Sequence, residues 1–278
     1  MNQFLHLMAA PFAACLVLTG IHAYLGLHVI ERQVIFVDLA LAQIAALGAT
    51  VGFLFGFGLH SGAGYLFALG FTFLGAVIFA ITRFKEERVP QEAIIGVVYA
   101  VAAAASILVL SRAAEGGEEL KALLVGHLLL VTWPEVWKVA VIYGAIGFLN
   151  WLFRRQLLLI SQKPKEAFEK GLRVRWWDLF FYITFGCVVT SSVEMAGVLL
   201  VFSFLIVPAI CGVVLGQGIA QRLAIGWGIG ALTSILGITA SYLWDLPTGA
   251  AIICTFGAVM VVVGIVKALS VKHRLAGD

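Results

Sequence analysis

Charged residues are scarce in this chain. Only 12% of its 278 residues are Asp, Glu, Lys or Arg, whereas soluble domains usually contain roughly 25%. Apolar residues make up 62% of the sequence, and the mean hydropathy is +1.05. A soluble protein of this composition would lack the polar surface that keeps it dispersed, while lipid accepts apolar side chains on every side of a helix. The composition therefore predicts a multi-pass membrane protein.

Sequence motifs for catalysis and nucleotide binding are also missing. The chain has no GxxxxGK[ST], HExxH or GxSxG motif, so we expect no ATPase site and no enzyme activity of its own. The four cysteines have no CxxC spacing, which excludes a zinc knuckle or a paired redox motif; they are Cys15, Cys187, Cys211 and Cys254. A translocation subunit is the default interpretation, and any energy from ATP must come from a separate subunit.

Long apolar stretches account for most of the sequence. A helix that crosses a bilayer needs about 20 mostly apolar residues. Candidates lie near 8–30, 34–58, 62–82, 91–111, 136–153, 177–193, 196–215, 223–243 and 248–268. The sixth and seventh are so close together that the count is eight or nine. The sequence thus predicts an all-α bundle of transmembrane helices forming one domain over 1–278, with a partial or re-entrant helix at 123–131.

Basic residues indicate which loops face the cytoplasm. The loop at 154–175 carries seven Lys or Arg residues and two Glu residues, and Lys and Arg also occur near 83–92 and after 266. An excess of positive charge marks cytoplasmic loops. The loop at 112–121 instead carries Glu115, Glu118 and Glu119. With nine spans, this pattern predicts an outer N-terminus and an inner C-terminus.

Small residues recur at four-residue spacing in two of the predicted spans. Gly48, Gly52 and Gly56 share one face of the second span, and Gly226 and Gly230 share a face of the eighth. Faces of this kind allow helices to approach closely in lipid. We expect both to serve helix packing.

Polar residues inside spans are costly and often functional. Asp38 lies close to the start of the second span. Its alternative role is structural, with the carboxylate stabilised by the helix dipole and by Arg32 or a neighbouring helix. Gln43 follows five residues later, roughly 140° around the helix, so the two side chains do not share a face.

Six histidines are candidate metal ligands. His22 and His28 fall in the first span, His60 at an outer turn, and His127 in the short apolar stretch at 123–131. None forms a close HxxxH pair, which favours packing or surface roles. His127 is the strongest candidate ligand, because substrates meet irregular backbone where a partial helix lines a cavity.

Pro208 follows a long apolar run and is expected to break or kink the helix. Beyond it we predict a short cytoplasmic helix, lying along the membrane, that docks another protein. This predicted coupling segment covers about 207–222 and includes Pro208, Ala209, Gly216, Gln217 and Arg222.

Four stretches together resemble permeases of the zinc/manganese (metal) ABC transporter family, the ABC-3 type. They are Gly-x-His-x5-His-x3-Arg-x3-Phe-x-Asp-x-Ala-Leu-Ala-Gln from Gly20, then Leu124–Val131, Gly197–Ala209 and Asp245–Gly249. Their order and spacing match that family over nearly the whole chain.

The resemblance implies a homodimeric, type II importer-like permease in the plasma (inner) membrane. It also implies two ATP-binding cassette ATPase subunits and an extracytoplasmic metal-binding protein that delivers Zn²⁺, Mn²⁺ or Fe²⁺. The chain itself would bind no cofactor, since ATP belongs to the partner subunit and the divalent metal is cargo. Residues 207–222 would sit in a groove of the ATPase.

Two positions in the second span depart from the family pattern. Relatives carry an Asp and a His four residues apart in the second span as a metal-coordinating pair. Aligning the Ala-Leu-Ala-Gln run puts Leu39 at the Asp position and Gln43 at the His position, with Asp38 displaced by one residue. An amide is a weaker Zn²⁺ ligand than imidazole. Either the site is rebuilt from Asp38 and groups on other helices, or the substrate differs.

The predicted transport path therefore contains Asp38 and Gln43, with His127 as an outer contributor. Import of a divalent metal by ATP-driven alternating access is the leading hypothesis. The alternatives are import of a chelated metal or another small solute, and a self-sufficient secondary carrier or membrane enzyme.

Overall fold

The computed structural model describes residues 2–58, 61–83, 89–111 and 126–275, and within these ranges the regular structure is helical, with no strand. The helices are α1 (Asn2–Glu31), α2 (Val37–Leu54), α3 (Gly62–Ile81), α4 (Gln91–Leu110), α5 (Trp133–Leu152), α6 (Arg154–Gln162), α7 (Pro164–Glu169), α8 (Val174–Ala196), α9 (Val198–Leu215), α10 (Ile219–Trp244) and α11 (Thr248–Leu275), with a 3₁₀ turn at Leu128–Leu130. The all-α prediction is confirmed.

Eight of these helices are long and apolar enough to cross a membrane: α1, α2, α3, α4, α8, α9, α10 and α11. A ninth span results if α5 and α6, which bend by 75° at their junction, are counted together. The prediction of eight or nine spans is thus confirmed. α8 and α9 are separate helices joined by Gly197, whose φ of +80° favours glycine.

The basic segment at 154–175 is largely helical, so its interpretation as a plain loop is wrong. α6 and α7 occupy most of it, and a buried apolar cluster of Ile160, Ala167 and Val174 joins them to the start of α8. Apolar residues between the charges supply this cluster. The prediction that the segment faces the cytoplasm remains a prediction.

α9 runs through Pro208 as one helix, so the separate short helix predicted after this proline does not form. Spanning helices tolerate proline because neighbouring helices and local adjustments satisfy the backbone groups that proline leaves without a hydrogen bond. Here α1 packs closely on the Leu205 backbone at Gly26, and a Cβ added at Gly226 of α10 would lie 3.1 Å from the Pro208 carbonyl oxygen. The helix instead ends at Leu215, and α10 begins four residues later.

Several predictions fall outside the described residues. They concern His60, Lys85, Arg88, the acidic loop at 112–121 and the first part of the 123–131 stretch. The described end of that stretch is the 3₁₀ turn at Leu128–Leu130, which is shorter than a partial helix.

Contacts divide the chain into two units. The first consists of Met1–Leu27, His127–Ala140 and Leu199–Asp278, and the second of His28–Gly126 and Val141–Val198. In the first unit α10 packs on α11, and Phe204 meets Phe256 edge to face with ring centroids 5.0 Å apart. In the second unit α2 packs against α3, α4 and α8.

The glycine face of α2 is a real packing surface in the second unit. A Cβ added at Gly48 would lie 2.6 Å from the Phe67 carbonyl oxygen of α3, and one at Gly52 would lie 3.1 Å from the Phe67 ring. Gly56 lies beyond the end of α2 and has a positive φ, so it is not part of this face. Gly226 and Gly230 of α10 likewise pack closely in the first unit.

A buried ionic cluster holds together the elements around the turn between α1 and α2. The Asp178 carboxylate of α8 accepts hydrogen bonds from Arg32 at 2.6 Å and from Arg83 at 3.1 Å. Arg32 also donates to the Ser161 hydroxyl at 2.9 Å, and its guanidinium lies 4.1 Å from the Phe181 ring centroid. The side chains of Arg32 and Asp178 are fully buried. The cluster therefore fixes the end of α1 against α6 and α8.

Replacing Gly48 by Ala is expected to destabilise the protein by about 1–3 kcal/mol, because the added methyl group would overlap the α3 backbone. Gly70→Ala is the matched control, since a Cβ there meets no atom within 4 Å and Ala favours a helix. The thermal midpoint of the detergent-solubilised protein, followed by tryptophan fluorescence, measures both. Equal midpoints for the two variants would contradict the close α2–α3 packing.

Asp178→Asn should lower the free energy of unfolding by about 3–5 kcal/mol, because two arginines then lose their buried counter-charge. SDS titration of the purified protein measures this loss. The control is Glu166→Gln, which breaks an exposed pair with Lys170 and should leave the transition nearly unchanged. Similar effects of the two substitutions would show that the Asp178 cluster does not hold the fold.

Candidate functional site

Asp38 is the polar residue of α2 that is hardest to explain by stability. It occupies the second position of the helix, and the residue is only 2% exposed. Its Oδ1 atom is buried and has no hydrogen-bond partner among the described residues. A carboxylate is favoured at a helix N-terminus, but a buried oxygen without a partner costs free energy. Such an atom is available to a ligand.

Arg32, which the sequence suggested as a partner for Asp38, pairs with Asp178 instead. Its side chain points into the cluster described above, where Nη1 donates a hydrogen bond to Asp178 and Nε donates one to Ser161. The structural explanation of Asp38 by Arg32 is therefore wrong. The turn at 32–36 then leads from this cluster directly into the first turn of α2.

Glu92 is a second acidic residue near the beginning of α2, and it was not among the site residues predicted from the sequence. It is the second residue of α4, and its Oε1 accepts a hydrogen bond from the Phe36 backbone N–H at 3.0 Å. Its Oε2 is buried without a hydrogen-bond partner in the described part of the chain. The hydrogen bond from Phe36 places the Glu92 carboxylate beside the first turn of α2, which also contains Asp38. The sequence feature that could have identified Glu92 is an acidic residue at the start of an apolar span. Asp38 occupies the same position in α2, the second residue of the helix.

Gln43 and His127, the other two residues predicted for the transport path, belong to different units of the structure. Gln43 is buried on α2, one turn and a half beyond Asp38. His127 is exposed and precedes the 3₁₀ turn, and it belongs to the first unit, whereas Asp38 and Gln43 belong to the second. Within either unit, the described residues include no group of three or more His, Cys, Asp or Glu side chains that could hold a metal ion.

The two histidines of α1 take part in local hydrogen bonds. His22 Nδ1 lies 2.9 Å from the Leu18 carbonyl oxygen, and His28 Nδ1 lies 2.8 Å from the Ser161 hydroxyl. Both residues are buried in α1. These bonds agree with the packing role that the sequence favours for them.

The predicted coupling residues surround a tight turn between α9 and α10. Pro208 and Ala209 lie within α9, while Gly216 and Gln217 lie in the turn. Arg222 Nε donates to the Gly216 carbonyl at 3.3 Å, and the Gln217 N–H donates to the Gln221 side chain at 3.1 Å. Gln217 and Gly218 are exposed. The turn is thus ordered by its own residues and presents an accessible surface.

Similarity to solved structures agrees with this architecture. A structure described as PsaBC from Streptococcus pneumoniae in complex with Fab matches 94% of this chain and 94% of its own with a TM-score of 0.76 at 19% identity. An inward-facing conformation of a putative metal-chelate type ABC transporter matches 95% of this chain and 88% of its own with a TM-score of 0.69 at 18% identity. The transporter-like helical fold expected from the resemblance is confirmed.

Sequence similarity connects the chain to named membrane proteins. The Listeria monocytogenes manganese transport system membrane protein MntC is 25% identical over 82% of this chain and 79% of its own length. A probable iron transport system membrane protein of Haemophilus influenzae is 25% identical over 84% of this chain and 80% of its own. The model of the ABC 3 transport family matches residues 4–267, and this membrane protein therefore belongs to the ABC 3 transport family.

Proposed function

We propose that this chain is the permease subunit of an importer that moves a divalent metal ion across the membrane, driven by ATP hydrolysis on separate subunits. The family match over residues 4–267 carries this proposal. Relatives named for manganese and iron transport support a divalent cation as the substrate. Asp38 Oδ1 has no hydrogen-bond partner within the described ranges, and it offers the type of ligand that Mn²⁺ and Fe²⁺ accept.

The energy source is a partner ATPase, because the sequence has no nucleotide-binding motif. The turn between α9 and α10, with Gln217 and Gly218 exposed, is the surface proposed to contact that subunit. It lies in the predicted coupling segment, about 207–222. The working assembly is a homodimer with two ATPase subunits and an extracytoplasmic metal-binding protein that delivers the ion.

Transport proceeds by alternating access in this proposal. ATP binding by the partner moves the turn between α9 and α10, and the helices around α2 open first to one side and then to the other. Asp38 and Gln43, which both lie on α2, line the path in this proposal. Intramembrane polar residues are expected on such paths.

ATP-dependent uptake of Mn²⁺ into proteoliposomes tests the proposal. Vesicles holding the permease with its ATPase, supplied with the metal-binding protein, should accumulate Mn²⁺ only with ATP. An ATPase variant lacking its Walker A lysine should abolish uptake, because phosphate binding is lost. Vesicles with the permease alone are the control. Uptake by the permease alone would support a self-sufficient carrier and refute the ATP-driven proposal.

A chelated metal is the second candidate substrate, and Gln43 is the observation that favours it. The amide stands where the family carries a metal-binding imidazole, and it is buried in α2. A complexed ion brings its own ligands and does not need that imidazole. Tight binding of bare Mn²⁺ or Zn²⁺ by the partner binding protein would exclude this candidate.

Gln43→His should increase the transport of bare Zn²⁺ relative to Mn²⁺, because imidazole is a better Zn²⁺ ligand than an amide. Competition between the two ions during ATP-dependent uptake measures the change. Gln156→His is the control, as it adds an imidazole outside α2. An unchanged Zn²⁺ preference in Gln43→His would place Gln43 outside the path.

A further inference from the structure

Asp38 and Glu92 belong to two helices that pack directly on each other, α2 and α4. The hydrogen bond from the Phe36 N–H to Glu92 Oε1 brings the Glu92 carboxylate to the first turn of α2, two residues before Asp38. Each carboxylate keeps one buried oxygen without a hydrogen-bond partner among the described residues, Oδ1 of Asp38 and Oε2 of Glu92. Two unused oxygen ligands thus occur at one end of a helix pair.

No described arginine or lysine neutralises these two carboxylates. The ion pairs of the described residues include neither Asp38 nor Glu92, and the guanidinium groups of Arg32 and Arg83 bind Asp178. Two neighbouring carboxylates repel each other when both are ionised. A bound cation would remove this repulsion and satisfy both oxygens.

The chemistry of the pair selects the kind of cation. Carboxylate oxygens are hard ligands that suit Mn²⁺, and the pair contains no thiolate, which would favour softer ions. The N-terminal ends of α2 and α4 carry partial positive charge, which weakens cation binding there. A transported ion needs a site that it can also leave, so this weakening suits a transport path.

We propose that Asp38 and Glu92 together form a binding site for the transported divalent cation, and that Glu92 supplies the ligand that Gln43 cannot. The inference rests on the proposed function for the identity of the cation. Water and backbone carbonyls complete the coordination shell, since the two residues provide only part of it. Glu92 thereby becomes a determinant of which metal the protein accepts.

A purely structural role for Glu92 makes a different prediction. In that case the side chain serves only to accept the Phe36 N–H, and a glutamine, whose amide oxygen also accepts a hydrogen bond, would replace it well. An aspartate would be the poorer substitute because it is shorter. The order of the two variants therefore separates the binding role from the structural one.

The experiment measures Mn²⁺ binding to the detergent-solubilised transporter complex by electron paramagnetic resonance, together with ATP-dependent Mn²⁺ uptake. Glu92→Gln and Asp38→Asn should each weaken Mn²⁺ binding and raise the half-saturating Mn²⁺ concentration by at least about tenfold. The double variant should lose less than the product of the single effects, because one ion uses both carboxylates. Glu92→Asp should bind Mn²⁺ more tightly than Glu92→Gln. Glu169→Gln removes an exposed carboxylate and should behave like the wild type.

Wild-type Mn²⁺ binding and uptake in a folded Glu92→Gln protein would overturn the inference, as would a Glu92→Asp variant that binds less tightly than Glu92→Gln. Thermal midpoints of each variant show which proteins are folded, and binding is compared among those. Failure of the proposed function looks different, because the wild-type complex would then take up no Mn²⁺ with ATP. The binding titration of wild type against Glu92→Gln still decides whether the carboxylate pair holds a cation.

Discussion

The bilayer interior offers no water to polar groups, and the rest of this structure follows from that constraint. Backbone N–H and C=O groups must be satisfied within each span, which favours helices. Hydroxyl groups obey the same rule in the second unit. The Thr72 hydroxyl donates to the Ala68 carbonyl at 2.8 Å, and the Ser192 hydroxyl donates to the Val188 carbonyl at 2.6 Å. Both use an acceptor four residues earlier on their own helix, so they stay buried at little cost.

Buried charge is handled in two different ways in the second unit. The Asp178 carboxylate is matched with two guanidinium groups and holds the end of α1 in place. One oxygen each of Asp178, Asp38 and Glu92 has no hydrogen-bond partner among the described residues. The difference is charge: two arginines neutralise Asp178, whereas no ion pair of the described residues includes Asp38 or Glu92. The first arrangement stabilises the fold, while the second leaves two carboxylates without a counter-charge. Polar groups that a membrane protein keeps at a cost in stability are expected where it handles its substrate.

Much of the architecture was predictable because spanning a bilayer imposes a local requirement of length and apolarity. The nine apolar stretches became eight spans and one bent helix pair. Close packing at Gly48 and Gly52 was also predictable from their spacing, since it places both on one helix face. The helices at 154–175 were not predicted because the many charged residues of this segment are typical of a loop, while the apolar residues between them are few. The break expected at Pro208 was wrong because the effect of proline depends on the neighbouring helices, which the local sequence does not describe.

The residues of the candidate site could be predicted from the sequence one by one, but their contacts could not. Asp38 could be recognised from the sequence, since an acidic residue stands out within an apolar stretch. Its proximity to Glu92 could not be predicted, because the hydrogen bond from Phe36 to Glu92 joins residues 56 positions apart in the chain. The pairing of Arg32 with Asp178 spans 146 positions. By itself the sequence determined that this chain is a bundle of membrane helices, because composition and length set that outcome. Only the tertiary structure decided which charges neutralise each other and which carboxylates remain available to a cation, because packing between distant helices determines those distances.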